Sequence, residues 1–151
     1  MEYLTIALPK GKLFDRSVKV LAKVGCDADN VVEDSRKLVI TNEKTKVRFI
    51  IVKTMDLPVY VEYGAADIGI IGKDVLKEEE RDVYELLDMG YGKCHLMMAM
   101  PEEKVLPRMM DYTHMRVATK YPHSAVEFFD RQGMQMEIIK LNGSIELAPI
   151  V

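Results

Sequence analysis

Short apolar runs alternate with amphipathic stretches along the chain, and turns rich in Gly, Pro, Asn and Lys join them. Tyr3 to Leu8 is apolar and predicts a strand, which Pro9-Lys10-Gly11-Lys12 breaks. Leu13, Phe14, Val18, Leu21 and Ala22 then recur at helical spacing, with Asp15, Arg16, Lys19 and Lys23 on the other face. Gly25 is placed to end that helix. Lys37 to Thr41 and Val47 to Lys53 read as strands around the polar turn 42–45. Thr54 or Asp56 opens a second helix, with Pro58 in its first turn and Leu57 and Val61 on its apolar side. Asp67 to Ile71 reads as a strand, and so does Val83 to Leu87. Cys94 to Met100 is a continuous apolar strand ended by Pro101. The charge run Lys77 to Asp82 is a solvated helix end, and Glu102 to Tyr112 a loop or short helix. Further on, Met115 to Thr119 and Met136 to Leu141 are strands. Between them a helix carries Ser124, Phe128 and Phe129 and closes at Gly133. Ile145 begins a last helix that Pro149 limits. The alternation predicts an α/β fold with a largely parallel sheet in each of two lobes. The glycines at 90 and 92 mark the boundary, giving lobes 1–90 and 91–151.

One stretch organises the rest: Tyr63 to Val75, which holds Asp67, Gly69, Gly72, Lys73 and Asp74. A strand interrupted by Gly69 lets another backbone or a ligand come close. Gly72 suits a sharp exit at positive φ, and Asp74 suits the N-cap of the helix that follows, with Lys73 at the mouth. Strand-to-helix turns of this kind line the ligand crevice of open α/β sheets.

Composition narrows the class. The 151 residues carry a net charge of −3, with 48% hydrophobic and 30% charged residues. That is ordinary for a soluble globular protein, and it argues against a nucleic-acid binder driven by a basic surface. No run is long enough to span a bilayer, and the N-terminus lacks a signal peptide, so the expected location is cytoplasmic. Cys26 and Cys94 form no CxxC and read as reduced thiols.

Generic motifs fail. Gly72-Lys73-Asp74 resembles the end of a Walker A loop, but Asp67 stands where its first glycine belongs and Asp74 replaces Ser or Thr. Gly90-x-Gly92 precedes a strand, with His95 where a dinucleotide fingerprint has glycine. Asp27 to Asn30 starts like a calcium loop, but Val31, Val32 and Leu38 occupy ligand and glycine positions. His95, His114 and His123 lack metal-site spacing. Arg36 and Lys37 are solvated or reach a phosphate. What remains is a set of turns at strand ends. Pro9 to Lys12 places Lys10, Lys12 and the backbone N–H groups near Gly11 at a helix N-terminus, which favours anions. The turn 72–74, Thr119-Lys120-Tyr121, and Asn142-Gly143-Ser144 with Glu146 complete the set. Together they suit a phosphorylated, Mg²⁺-bound small molecule.

These residues resemble a known family. Leu8 to Leu13, Tyr63 to Asp74, Val117 to Tyr121 and Leu141 to Pro149 are similar, in order and spacing, to ATP phosphoribosyltransferase, the first enzyme of histidine biosynthesis. The absence of an appended regulatory domain makes the chain similar to the short form, which implies a homo-oligomer and a hetero-oligomer with a catalytically inactive relative of histidyl-tRNA synthetase. The resemblance implies two lobes like those of class II periplasmic binding proteins, with a cleft between them. It implies that N1 of ATP attacks C1 of phosphoribosyl pyrophosphate, with Mg²⁺ carried by the substrate and no metal site of the protein's own.

Residue roles follow from the same resemblance. Lys10 and Glu146 are the candidate catalytic residues. Gly11, Lys12, Asp67, Gly69, Gly72, Asp74, Lys120, Tyr121, Asn142, Gly143 and Ser144 are the candidate substrate-binding residues. Lys12 stands where the family usually has Arg, which keeps the charge and loses a bidentate fork. The family continues past the position of Val151 into a turn that cradles the 5-phosphate and a segment that completes the first lobe. The expectation for this chain alone is therefore ATP binding without turnover, together with uncovered apolar surface and self-association. A non-catalytic, two-lobed nucleotide-binding module is the competing reading.

Overall fold

Strand β1 (Leu4–Pro9) is the centre of the first part of the chain, because it is buried on both faces and paired on both sides. The computed structural model describes residues 2–28, 30–33 and 37–150. They fall into two units, Met1–Lys93 and Cys94–Val151.

In the first unit, β1 is followed by α1 (Phe14–Lys23), β2 (Val39–Asn42), β3 (Val47–Val52), α2 (Leu57–Glu62), β4 (Ile68–Gly69) and α3 (Lys73–Glu79). The sheet order is β2-β3-β1-β4. β1 runs parallel to β3 and β4, and β2 is an antiparallel edge. Alternate residues of a strand point to opposite faces, so one apolar run serves two cores. Ile6, Leu8, Phe49 and Ile51 pack with Phe14 and Leu21 of α1. Ala7 and Ile50, from the other face, pack with Leu57 of α2 and with Ala66. α1 ends as expected, with Gly25 at φ +84 and its N–H on the Ala22 carbonyl.

β4 is shorter than the sequence suggests: the expected strand Asp67–Ile71 pairs only at Ile68 and Gly69. Both ends have a cause. Alternate amides of β1 face alternate neighbours. Leu4 and Lys10 donate to the Lys46 and Val52 carbonyls on the β3 side, each at 3.0 Å. Thr5 faces the β4 side, and its N–H goes to the Asp67 carboxylate at 2.7 Å. Pro9 has the parity of Thr5, so it faces β4 with no N–H to offer. The glycine between these ends is a packing requirement. A Cβ on Gly69 would lie 2.5 Å from Leu57 Cδ2, so the close neighbour is α2 rather than a ligand.

Two further expectations change at the next turn. Gly72 has φ −73, not a positive value, and it is itself the N-cap of α3. Asp74 lies one position into the helix, and its Oδ1 would be 2.2 Å from a Cβ at residue 72. The carboxylate folds over Gly72, and a side chain there would displace it. Ahead of α2, a 3-10 turn (Thr54–Asp56) precedes the N-cap Asp56.

In the second unit, β5 (Arg116–Thr119) pairs in parallel with β6 (Glu137–Lys140), joined by α4 (Pro122–Arg131). Tyr112, Phe129 and Met134 form its core, packed by Val117 and Ile138 from the strands. Gly133 at φ +68 follows α4. Residues 102–104 and 109–112 are short 3-10 turns. Ile145–Ile150 is a 3-10 helix with Pro149 inside it.

The expected strands Val83–Leu87 and Cys94–Met100 do not form. An apolar run becomes a strand only where its backbone finds a ladder, and residues 83–100 find none among the described residues. Their side chains are correspondingly open: Tyr84 is 91% exposed, Leu86 79% and Met97 82%. The stretch is tied down at separate points: Glu85 bonds Lys73, the Tyr91 hydroxyl meets that of Ser17 at 3.1 Å, and Met100 packs on the core of the second unit. No helix among the described residues is long and apolar enough to cross a membrane.

Two measurements follow. Gly69→Ala is expected to lower stability by about 1–3 kcal/mol, read as a shifted urea midpoint, because Leu57 must move. The chain is expected to associate with concentration in sedimentation velocity, and Leu86→Asp with Met97→Asp to reduce this; a monomer at every concentration would count against it.

Candidate functional site

In a parallel sheet the turns after each strand emerge at one edge, and β1, β3 and β4 bring three of them together. Lys10 follows β1, Thr54 lies two residues after β3, and Gly72 opens α3 three residues after β4. The Lys10–Gly11 turn is held at every backbone polar group. The Lys10 N–H donates to the Val52 carbonyl at 3.0 Å, and the Lys10 carbonyl accepts from the Thr54 hydroxyl at 2.9 Å. The Gly11 N–H donates to Glu33 Oε1 at 2.6 Å, and the Gly11 carbonyl accepts from the Phe14 N–H at 2.9 Å. Gly11 has φ +99, a conformation that glycine adopts at no steric cost. The sequence places an anion at this amide, and in the structure the anion is the chain's own carboxylate. Lys10 and Lys12 are exposed, so their ammonium groups rather than the backbone face outward.

At the same edge, Lys73 is exposed and its Nζ lies 2.9 Å from Glu85 Oε1. That hydrogen bond and the Glu85 charge raise the Lys73 pKa above its usual value, with the Asp88 charge adding to it. Lys73 therefore stays protonated at neutral pH. Asp74 is half-buried in the first turn of α3, where a carboxylate complements the helix dipole.

The other two candidates of the first unit stand apart. Asp67 is bonded to Thr5, near the start of β1, whereas Lys10 follows its end. Its second contact, Asp67 N–H to the Thr5 carbonyl at 2.9 Å, is equally structural. Gly69 is the last residue of β4, opposite Ala7 of β1 and under Leu57 and Val61.

The second unit repeats the arrangement on a smaller scale. Thr119 and Lys140 are register partners at the ends of β5 and β6, so Lys120 and Tyr121 leave the sheet beside Asn142. The Leu141 N–H donates to the Thr119 carbonyl at 2.9 Å. Thr119 Oγ1 accepts from the Tyr121 N–H at 3.0 Å and shapes the entry into α4. Ser144 takes φ +52, and its carbonyl accepts from the Leu147 N–H at 3.0 Å. Asn142, Gly143, Ser144 and Glu146 are exposed, and Lys120 and Tyr121 half-buried.

Thr54 and Glu33 were not among the candidates. For Thr54 a signal existed, since it opens the turn after β3 as Lys10 does after β1. For Glu33 none did, because 22 residues separate it from Gly11. Asp29 and Arg36, considered for calcium and for phosphate, lie outside the described residues. Among the described residues, no group of three His, Cys, Asp or Glu side chains could hold a metal ion.

Comparison with known proteins gives a consistent result. The family model described as HisG, ATP phosphoribosyltransferase, matches residues 53–151. The chain is 54% identical, over 99% of its length and 70% of the relative's, to an ATP phosphoribosyltransferase of Desulfitobacterium hafniense. It is 47% identical, over 99% of its length and 71% of the relative's, to ATP phosphoribosyltransferase 2 of Geobacter sulfurreducens. Among solved structures it is similar to a chain of the ATP phosphoribosyl transferase (HisG:HisZ) complex from Thermotoga maritima. That match has a TM-score of 0.67 at 28% identity, over 97% of this chain and 68% of the other.

The position of Asp67 makes a prediction opposite to that for a ligand contact. Asp67→Ala leaves the Thr5 amide without its acceptor and is expected to cost about 1–3 kcal/mol of stability. Asp67→Asn keeps an acceptor oxygen and is expected to cost less, with ligand affinity unchanged in both. Urea unfolding alongside ATP titration checks this.

Proposed function

The chain belongs to the ATP phosphoribosyltransferase family, and on that premise we propose how its residues serve the reaction. It is an enzyme of the first step of histidine biosynthesis, which joins phosphoribosyl pyrophosphate to N1 of ATP and releases pyrophosphate. The observation that carries this reading is 54% identity over 99% of the chain.

Adenine N1 is a neutral nitrogen with a free lone pair, so no strong base is needed. The N1–C1 bond forms while the C1–O bond breaks, and the electron pair leaves with pyrophosphate. The difficult part is the charge that develops on the sugar and on the leaving group. Protein cations fixed near those atoms stabilise it. Holding both substrates in line supplies much of the remaining acceleration. In this reading Lys10 and Lys12 offer ammonium groups to substrate phosphates. Asp74 and the Gly72 turn border the same edge of the first unit. Lys120, Tyr121, Asn142, Gly143 and Ser144 contact substrate from the second unit, and Glu146 orients a ribose hydroxyl. Support for this comes from the clustering of each set at the C-terminal edge of a parallel sheet. Asp67 and Gly69 keep structural parts. Mg²⁺ arrives on the substrate and neutralises pyrophosphate charge.

The finer architecture we propose is the two-lobed, class II periplasmic-binding-protein type, supported by the division at Lys93–Cys94 and the parallel sheet in each unit. The partners we propose are further copies of the chain and a histidyl-tRNA-synthetase-like regulatory subunit. The similar Thermotoga maritima chain comes from a HisG:HisZ complex.

Pyrophosphate release from ATP and phosphoribosyl pyrophosphate, measured on a chain that includes the family's 5-phosphate turn and with the partner subunit present, tests the assignment. Lys10→Ala and Glu146→Ala are each expected to reduce turnover by about 10²–10³-fold at an unchanged thermal midpoint. Near-normal turnover in either variant removes that residue from the site.

A further inference from the structure

The Lys10–Gly11 turn is the least self-sufficient piece of the first unit's functional edge. Gly11 at φ +99 has no side chain to hold it, and nothing approaches within 4 Å of where one would be. A lysine mounted on such a turn would wander with it. Backbone bonds hold the Lys10 N–H and the Gly11 carbonyl, and two side chains hold the peptide link between them. The Thr54 hydroxyl, carried by the turn after β3, donates to the Lys10 carbonyl at 2.9 Å. The Glu33 carboxylate, from the loop between α1 and β2, accepts the Gly11 N–H at 2.6 Å. They grip the two sides of a single peptide link, which fixes the plane from which the Lys10 side chain departs.

We propose that Thr54 and Glu33 are positioning residues that hold Lys10 in its substrate-binding geometry. This rests on the reading of Lys10 as a substrate contact. It also makes a counterintuitive claim about Glu33. Its negative charge lies beside a turn carrying Lys10 and Lys12, so by Coulomb's law alone its removal should tighten binding of anionic ATP. If Glu33 instead holds the turn, its removal weakens binding, and an uncharged acceptor restores it.

The test is the ATP dissociation constant by equilibrium dialysis, with thermal midpoints, for the whole chain and for five variants. Thr54→Val and Glu33→Ala are each expected to weaken ATP binding by about tenfold at an unchanged midpoint. Thr54→Ser and Glu33→Gln are expected to return affinity to the wild-type value or better. Tighter binding in Glu33→Ala would show a competing anion and overturn the proposal. So would wild-type affinity in Thr54→Val, or losses that follow a lowered midpoint in all four variants alike. The arms are independent, so a variant that fails to fold leaves the other decisive. Lys10→Ala separates the two layers. Unchanged ATP affinity there overturns both readings, whereas weakened affinity with normal Thr54→Val and Glu33→Ala overturns this one alone.

Discussion

Burial of β1 on both faces and hydrogen bonding on both sides is the constraint from which the first unit follows. A strand so enclosed can be neither edited nor reached along its length. Its residues from Thr5 to Pro9 are all buried, and its partners are parallel. Parallel neighbours must return over a face of the sheet, which is why α1 and α2 cover opposite sides. Chemistry is then confined to the edge where strands give way to turns, and Lys10 stands at the first of these exits.

The second unit applies the same logic with fewer parts. Two parallel strands and one helix enclose Tyr112, Phe129 and Met134, and the polar turns leave together from one edge. In the Lys10–Gly11 turn the backbone is occupied by internal bonds, and the lysine side chains are what remain to meet a ligand. At this exit the protein therefore presents ammonium groups on a backbone that is already satisfied.

Much of this was legible from the chain. Leu13 to Ala22 and Val47 to Lys53 form elements where expected, the first from its own amphipathic signal and the second as an apolar run paired on both sides by β1 and β2. The order of turns at Lys10, Gly72, Lys120 and Asn142 was equally readable. What failed depended on partners. Cys94 to Met100 has the composition of a buried strand but no ladder in which to be one. Gly72 announced a positive φ, yet it takes φ −73 and lies beneath the Asp74 carboxylate. Asp67 was a candidate ligand group through the family resemblance alone. Only the register of β4 against β1 shows that its carboxylate stands in for a missing ladder acceptor. Glu33 could not be foreseen, since nothing local ties it to Gly11.

That register has a consequence of its own. A strand of two residues contributes few hydrogen bonds, and a slip by one repeat along β1 would cost little in ladder energy. β4 is protected by end stops instead. Asp67 engages Thr5 at one limit, and Pro9 withholds a donor at the other. β1 thus works as a ruler with two marks. The marks set how far the chain has travelled when it reaches Gly72, and so the spacing between that turn and Lys10. The spacing of the functional edge is thus kept by a carboxylate and a proline that lie away from its turns.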